Sequence, residues 1–190
     1  MSNTRLKVAV AGSTWTITCD DSTYPPPRGK IPPCFIQSIV ARKARFLMLG
    51  SVCRIGRNVH VDARESMVKI HLDDVDRKTR VHCSIHDSSA FNFRGTIEEI
   101  TIDATFSSAK LYVTCDDICV RALASRITGV QFAHTASLKL TEASHIKKLH
   151  VHHHVDLGSS SGILDVYVDP ACTIENPPRW IPLATALAKE

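Results

Sequence analysis

The chain has 190 residues, of which 44% are hydrophobic and 22% charged, and its formal net charge is +4. This balance is typical of one soluble domain and does not by itself require a nucleic-acid partner. No apolar run reaches the roughly 18 residues that a membrane-spanning helix needs. The seven cysteines are odd in number and irregularly spaced, which is typical of reduced thiols rather than a secreted disulfide framework, so we expect a cytoplasmic protein.

The N-terminal segment, residues 1–33, is predicted to be a tail with a short strand around Trp15 to Thr18. Five of its residues are prolines, which favour an extended linker over packed structure. The next segment, 34–49, is ambiguous, because its apolar residues fall at helical spacing while Phe46 to Leu49 is also typical of a strand. We expect either a helix that caps the following core or a strand that belongs to it.

The core, residues 34–175, is marked by a lack of proline and by a repeat. No proline occurs from 34 to 169, and proline is excluded from sheet interiors because it cannot donate to the hydrogen-bond ladder. Triads of apolar, any and apolar residue recur at nearly constant spacing, and the first six are centred on positions 60, 71, 82, 92, 101 and 112. They predict short strands with one apolar face. The inward set is predicted to include Val59, Val61, Ile70, Leu72, Ile100, Ile102, Leu111, Val113, Leu138, Leu140, Leu149 and Val151.

Two all-β architectures fit this series. Hairpins of an antiparallel β-sandwich or jelly roll rely on glycine and proline, yet residues 57–157 contain no proline and only Gly95 and Gly129. Solenoid corners can be turned by small polar residues, and about 20 residues per pair of strands is an ordinary solenoid repeat. We therefore predict a single-domain β-solenoid, with the sandwich as the alternative, followed by a proline-containing C-terminal tail over 176–190.

A proline-flanked β-solenoid of this size without a catalytic motif resembles the bactofilins. That family forms cytoskeletal polymers, and its right-handed β-helix is bordered by disordered tails. The chain is poorer in glycine than bactofilin coils, with one glycine-led repeat at 95–103. The resemblance implies a right-handed β-helix and a scaffolding protein that polymerises. The tubulin-cofactor-C-like domains are a second solenoid family, but their Gln-X-Arg pair does not occur here.

Self-association is predicted to use the two ends of the solenoid. First and last coils expose unpaired backbone groups, which template further pairing unless they are covered. The candidate interface residues are Leu47, Leu49 and Val52 at one end and Ile163, Val166 and Val168 at the other. The expected function is therefore a non-enzymatic cytoskeletal or scaffolding role in which the protein's partner is itself, as a homo-oligomer or filament.

A basic stretch without any acid between Asp21 and Asp62 is the candidate contact with a membrane surface or polyanion. Its residues are Arg42, Lys43, Arg45, Arg54 and Arg57. No aromatic platform for base stacking interleaves it, so no nucleic acid is expected. Further partners, either proteins or a membrane surface, are expected through the tails. The alternative function is a monomeric adaptor that binds proteins through a histidine-rich face or the segment around Trp180.

Two histidine patterns are candidates for special chemistry. His150, His152 and His154 alternate along one strand at roughly 7 Å, which is wide for three ligands of one zinc ion. His60, His71 and His82 are evenly spaced along the chain, so a solenoid can stack some of them in a ladder. We assign neither a metal nor a cofactor to these residues.

No catalytic residue is assigned either. Gly158 to Gly162 formally satisfies G-x-S-x-G, but a strand-like sequence follows it where a nucleophile elbow needs a helix. A carbohydrate-active β-helix enzyme is the lesser alternative, and it would need acids from adjacent coils to meet in one groove. The acids that decide this alternative are Asp73, Asp74, Asp103, Asp116 and Asp117.

Overall fold

The computed structural model describes residues 6–11, 14–20, 35–42, 47–49, 54–71, 78–141, 143–158 and 160–176. Each regular element among them is a β-strand, so the predicted all-β class is confirmed. The strands are β1 (Leu6–Ala11), β2 (Thr14–Asp20), β3 (Phe35–Arg42), β4 (Leu47–Leu49), β5 (Arg54–Arg64), β6 (Met67–His71), β7 (Arg80–His86), β8 (Ala90–Thr105), β9 (Ser108–Leu123), β10 (Arg126–Leu140), β11 (His145–Asp156), β12 (Ile163–Val168) and β13 (Thr173–Glu175).

The strands stack in parallel as a β-solenoid of about six turns, which confirms the solenoid over the sandwich. Ala90 pairs with Ser108, and Ser108 pairs with Arg126, so the central coils are equal in length. An earlier coil is longer, because Asn58 pairs with Arg80, a larger step along the chain. The triads centred on Asn92 and Thr101 both belong to β8, which lies within one coil, so each triad marks half a coil.

Each central coil consists of two arms. Burial alternates along both arms, and the alternation breaks where they meet, at pairs such as 98–99 and 116–117 whose side chains both face outward. We call this junction the charged corner; its residues are Glu98, Glu99, Asp116, Asp117, His134 and Thr135. In the three central coils the first arms are 90–97, 108–115 and 126–133, and the second arms are 98–105, 116–123 and 134–140.

The hydrophobic core runs along the inside of the stacked coils. Every predicted inward residue that the structure describes is buried; Leu72 lies outside the described residues. The segment Val130-Gln131-Phe132 also has the apolar, any, apolar pattern but does not follow this rule, because Gln131 is fully buried and Phe132 is 41% exposed. The Gln131 amide nitrogen donates to the carbonyls of Leu111 and Thr128, at 3.3 and 3.1 Å, which satisfies part of its polarity inside the core.

The first end of the solenoid is built from residues that the sequence places in a tail or a helix. The helix considered for 34–49 is wrong, because β3 and β4 are strands that pair in parallel with β5 and β6. Residues 6–11 and 14–20, within the predicted tail, form the hairpin β1–β2. Strand β2 continues the parallel stack on β3, and β1 lies antiparallel outside it.

Candidate functional site

The last coil ends the parallel ladder with open strand edges. Strand β12 pairs with β11 from His145↔Ile163 to Val151↔Val168, and β13 pairs with the end of β11. Among the described residues, no strand pairs with the far edge of β12 or β13. The outward backbone groups of a parallel edge can accept another strand.

The side chains of the last coil divide into one exposed residue and a buried set. Ile163 is 62% exposed. Leu164, Val166 and Val168 point into the core and are 8%, 2% and 5% exposed. Of the residues predicted for this end, Ile163 is therefore available for contact, while Val166 and Val168 support the fold.

The residues predicted for the first end lie at the opposite limit of the first-arm stack. Leu47 and Leu49 belong to β4, which pairs with β6 and has no second partner among the described strands. Val52 lies outside the described residues. The structure thus separates the two predicted groups to opposite ends of one stack, as end-to-end association requires.

The predicted basic stretch contains one strongly paired residue, Arg42. Its guanidinium donates to both carboxylate oxygens of Asp62, with Nη1 at 2.8 Å from Oδ1. This hydrogen bonding raises the pKa of Arg42 and lowers the pKa of Asp62. Lys43 and Arg45 lie outside the described residues, Arg54 begins β5, and Arg57 is exposed. Arg42 therefore serves the fold through Asp62.

A column of buried serines forms the second corner of the coils, between each second arm and the next first arm. We call it the serine corner; its residues are Ser66, Ser89, Ser107, Ser125 and Ser144, all at most 8% exposed. The Ser107 amide donates to the Ser125 hydroxyl at 3.0 Å, and that hydroxyl donates to the Leu123 carbonyl at 2.8 Å. The Ser125 amide donates in turn to the Ser144 hydroxyl at 3.3 Å.

This column is a structural feature that the sequence reasoning missed. Its signal is a serine at the same point of successive coils, at positions 89, 107, 125 and 144, which the half-coil triads conceal. The preceding residues Phe106 and Ala124 take positive φ angles of 48° and 47° to turn the chain. An open groove of about 480 Å³ lies over this corner, between the side chains of Phe106 and Ile163 and beside Arg126 and His145.

The predicted histidine ladder contains two of its three members. His60 and His82 pair in register in β5 and β7, and their ring centroids are 5.6 Å apart. His71 lies in β6 on the first arm, away from them. Successive members of the series alternate between the two arms, so only every second histidine can stack.

His150, His152 and His154 have three separate environments. The His150 ring stacks between Phe132 and Tyr167, and burial lowers the pKa of His150. His152 Nδ1 lies 2.7 Å from Asp169, and His154 Nε2 lies 4.0 Å from Glu175. His153 is exposed and stacks on His134. In the described part of the chain, no three His, Cys, Asp or Glu residues are grouped to hold a metal ion.

The acids that would decide a carbohydrate-cleaving site have separate partners. Asp103 lies 3.4 Å from both Arg121 and His82, and Asp116 lies 3.7 Å from His134. Asp117 accepts a hydrogen bond from Thr135. Asp73 and Asp74 lie outside the described residues. Each of the three described acids therefore has a basic or hydroxyl partner, and Asp117 also pairs in register with Glu99 in the preceding coil.

Free thiols are present at Cys83, Cys115, Cys119 and Cys172. Cys83 and Cys115 are buried in the core, and burial raises the pKa of Cys115 to about 12. Cys119 and Cys172 are partly exposed, and burial raises the pKa of both. Thiols with raised pKa values are poor nucleophiles at neutral pH, so these cysteines act as packing residues.

Comparison with known proteins names no relative. No protein-family model, curated protein or solved structure matches the chain. The resemblance to bactofilins therefore stays a prediction. The described residues contain no helix long and apolar enough to cross a membrane.

Proposed function

We propose that this protein has a structural, non-catalytic role and that it associates with further copies of itself through its last coil. The observation that carries the proposal is the open edge of β12, at the end of an otherwise continuous parallel ladder. In the described residues this edge has no strand, helix or inward charge that would block pairing. Natural proteins usually protect such edges, so an unprotected one marks an association surface.

The contact surface that this proposal uses is the strand backbone together with Ile163. Strand β12 offers outward N–H and C=O groups along its length, and Ile163 adds an exposed apolar side chain beside them. Burying that side chain in a contact contributes roughly 1.5 to 3 kcal/mol. The buried Leu164, Val166 and Val168 hold β12 flat against β11 and so keep its edge extended.

The two ends of the solenoid differ, which bears on the form of the assembly. At the first end, the antiparallel strand β1 lies outside β2, so a partner would meet a strand that runs opposite to the coils. At the last end, β12 and β13 keep the direction of the coils before them. A filament would join the first end to the last, whereas a closed dimer would join two last ends.

A reducing, cytoplasmic setting is part of the same proposal. The thiols of Cys83, Cys115, Cys119 and Cys172 are free, and those of Cys83 and Cys115 are buried where an intermolecular disulfide cannot reach them. Self-association in this compartment then relies on non-covalent pairing alone. Association with a cytoskeletal or membrane surface would be a property of the assembled form.

The test is sedimentation velocity across about a hundredfold range of protein concentration, because association follows mass action. The variant is Ile163→Lys, which places a charge beside the open edge. Its matched control is Leu123→Lys, since Leu123 is also an exposed aliphatic side chain, at 45%, but lies in the middle of the solenoid. We expect oligomers that grow with concentration, are lost in Ile163→Lys and persist in Leu123→Lys.

A strictly monomeric particle at every concentration would overturn the proposal in favour of a monomeric adaptor. Equal loss of assembly in both variants would place the contact away from the last coil. Val166→Arg is unsuitable for this test, because Val166 is 2% exposed and the change would unfold the coil itself.

A further inference from the structure

The two arms of the coils carry opposite charge on their outer surfaces. The described first-arm segments (47–49, 67–71, 90–97, 108–115, 126–133, 145–151 and 163–168) contain a single acid, Asp165. Their six cations are Lys69, Arg94, Lys110, Arg126, Lys147 and Lys148. The second-arm segments from 58 onward hold most of the described acids: Asp62, Glu98, Glu99, Asp103, Asp116, Asp117, Asp156 and Glu175. The nearly balanced composition of the chain hides this division.

The first-arm cations form a stripe along the solenoid. Lys69, Arg94, Lys110 and Arg126 come from four consecutive coils, and Lys147 with Lys148 from the fifth. Since neighbouring strands lie about 4.8 Å apart, the stripe extends roughly 19 Å with a positive charge at every step. All six side chains except the half-buried Lys69 are exposed.

These cations have no acidic partners within the described residues. The cations of the second arm differ: Arg80 lies 2.6 Å from Glu98, and Arg121 lies 3.4 Å from Asp103. The one close contact recorded for the stripe in the described part of the chain is Lys110 Nζ, 5.4 Å from the centre of the Tyr112 ring. A row of unneutralised charges concentrates anionic ligands at a protein surface.

Aromatic rings lie on the same face: Tyr112 pairs in register with Arg94, and Phe132 lies two residues further toward the charged corner. Tyr112 and Phe132 are 42% and 41% exposed. Phe132, His150 and Tyr167 stack on successive coils, with ring centroids 4.8 Å apart at both steps. On the other side of Phe132 the column continues with Thr114, a side chain too small to cover the ring. One face of Phe132 is thus open to a further planar group.

We propose that the first-arm face binds single-stranded nucleic acid, with the stripe contacting phosphates and a base stacking on Phe132 above Thr114. Cations alone would serve any anionic surface, including a lipid bilayer. The exposed rings beside the cations favour unpaired nucleotides, because only unpaired bases offer their faces for stacking; such an aromatic platform is what the basic stretch at 42–57 lacks. The stripe and the rings come from different coils, so neither forms a motif along the chain.

The binding test is fluorescence anisotropy with labelled oligo(dT) and oligo(U) titrated by the full chain at several salt concentrations. Five phosphate contacts, one for each coil of the stripe, predict a slope of about −3.5 for log affinity against log salt, at roughly −0.7 per contact for single strands. Lys110→Glu should weaken binding about tenfold at low salt. The control is Lys139→Glu, an equally exposed lysine on the second arm, which should change affinity less than about twofold.

The stacking of a base on Phe132 is tested by a second variant with its own control. Phe132→Ala should weaken binding about tenfold, in the range measured for loss of one base–aromatic stack. Phe106→Ala removes an exposed phenylalanine, 60% exposed at the serine corner, and should leave affinity unchanged. Circular dichroism of all four variants should match the unchanged chain, since none of the four side chains is buried.

Three results would overturn this proposal. One is the absence of binding to either oligonucleotide at low salt, and another is an equal loss of affinity in Lys110→Glu and Lys139→Glu. The third is binding to phosphatidylserine vesicles by a chain that leaves the oligonucleotides free, which would assign the stripe to a membrane surface. The Ile163→Lys variant removes no cation of the stripe and should still bind oligonucleotide, so failure of self-association and failure of this proposal are distinguishable.

Discussion

The serine corner and the charged corner turn the same coils by opposite means. At the serine corner, buried hydroxyls and amides bond across coils, as between Ser107 and Ser125 at 3.0 Å. At the charged corner, exposed side chains meet in pairs such as Arg80 with Glu98, at 2.6 Å. A buried amide must find a partner, whereas an exposed charge can exchange its partner for water. The register of the coils is therefore fixed at the serine corner, and the charged corner is free to carry surface chemistry.

The largest loss of stability is expected from a change in the hydrophobic core, which lies between the two corners. Ile102 is fully buried, and Ile102→Asp would bury a charge without a counter-ion. We expect loss of the cooperative unfolding transition, because the penalty rivals the total stability of about 5 to 15 kcal/mol. Circular dichroism melting checks this, with Ile163→Asp as the exposed control. A melting temperature for Ile102→Asp close to that of the control would contradict the placement of the core.

The serine corner is tested by Ser125→Ala. The change removes the acceptor of the buried Ser107 amide and the donor to the Leu123 carbonyl. Leaving a buried amide unsatisfied costs about 1 to 3 kcal/mol, so we expect the free energy of unfolding, measured by urea titration, to fall by a similar amount. Ser108→Ala, at the exposed serine that follows Ser107, should change stability by less than about 0.5 kcal/mol. Equal effects of the two changes would remove the distinction between the corners.

The exposed ion pairs should contribute less, and Asp62 with Arg42 gives the clearest case. The hydrogen bond from Arg42 lowers the pKa of Asp62, so its stabilisation is present above the unfolded pKa, near 4, and is lost as pH falls through the folded value. Both side chains are about one-third exposed, at 33% and 35%, so screening limits the effect to about 1 kcal/mol. Asp62→Asn should therefore lower the free energy of unfolding slightly at pH 7, and this difference should disappear as pH falls below the folded pKa of Asp62. Urea titrations from pH 7 into the acid range check this, and a loss at pH 7 larger than that of Ser125→Ala would reverse the ranking of buried hydrogen bonds over exposed ion pairs.

The sequence pattern predicts the inside of this protein well because burial follows a simple alternation. Val59, Val61, Leu138 and Leu140 are buried as their triads predict. The absence of glycine and proline turns correctly favours the solenoid, because its corners use positive-φ residues such as Phe106 and Ala124 followed by serine. Glycine and proline therefore mark the turns of hairpin proteins in a sequence, but they do not mark these solenoid corners.

The alternation fails where a contact between coils overrides it. Gly129 has a φ of 106°, and a Cβ there would lie 1.9 Å from the Leu111 carbonyl oxygen. This close approach lets the Gln131 side chain bond to the same carbonyl inside the core and leaves Phe132 outside. In the same way, pairing with β5 makes a strand of 35–42, although its apolar residues also have helical spacing. Both results depend on a neighbouring coil, which local spacing does not reveal.

The surfaces were harder to predict than the core, because they combine residues one coil apart. The ends were predicted from the order of the strands alone, and Leu47 and Ile163 do lie in the first and last described strands of the first-arm stack. The cation stripe combines residues that are distant and unevenly spaced along the chain, from Lys69 to Arg94, Lys110 and Arg126. Only the coil register brings these isolated positions onto one face, where Lys69 and Lys110 share a column and Arg94 and Arg126 lie two residues to either side of it.

Pairing of the β12 edge with another copy of the chain is tested most directly by hydrogen exchange at low and high protein concentration. Outward amides of Ile163–Val168 have no partner strand among the described residues of the single chain, whereas association would place them in hydrogen bonds. We expect slower amide exchange in this strand at high concentration and unchanged exchange in β9, which is already paired on both edges. Equal exchange of Ile163–Val168 at both concentrations, in a sample that sedimentation shows to be oligomeric at the higher one, would contradict it.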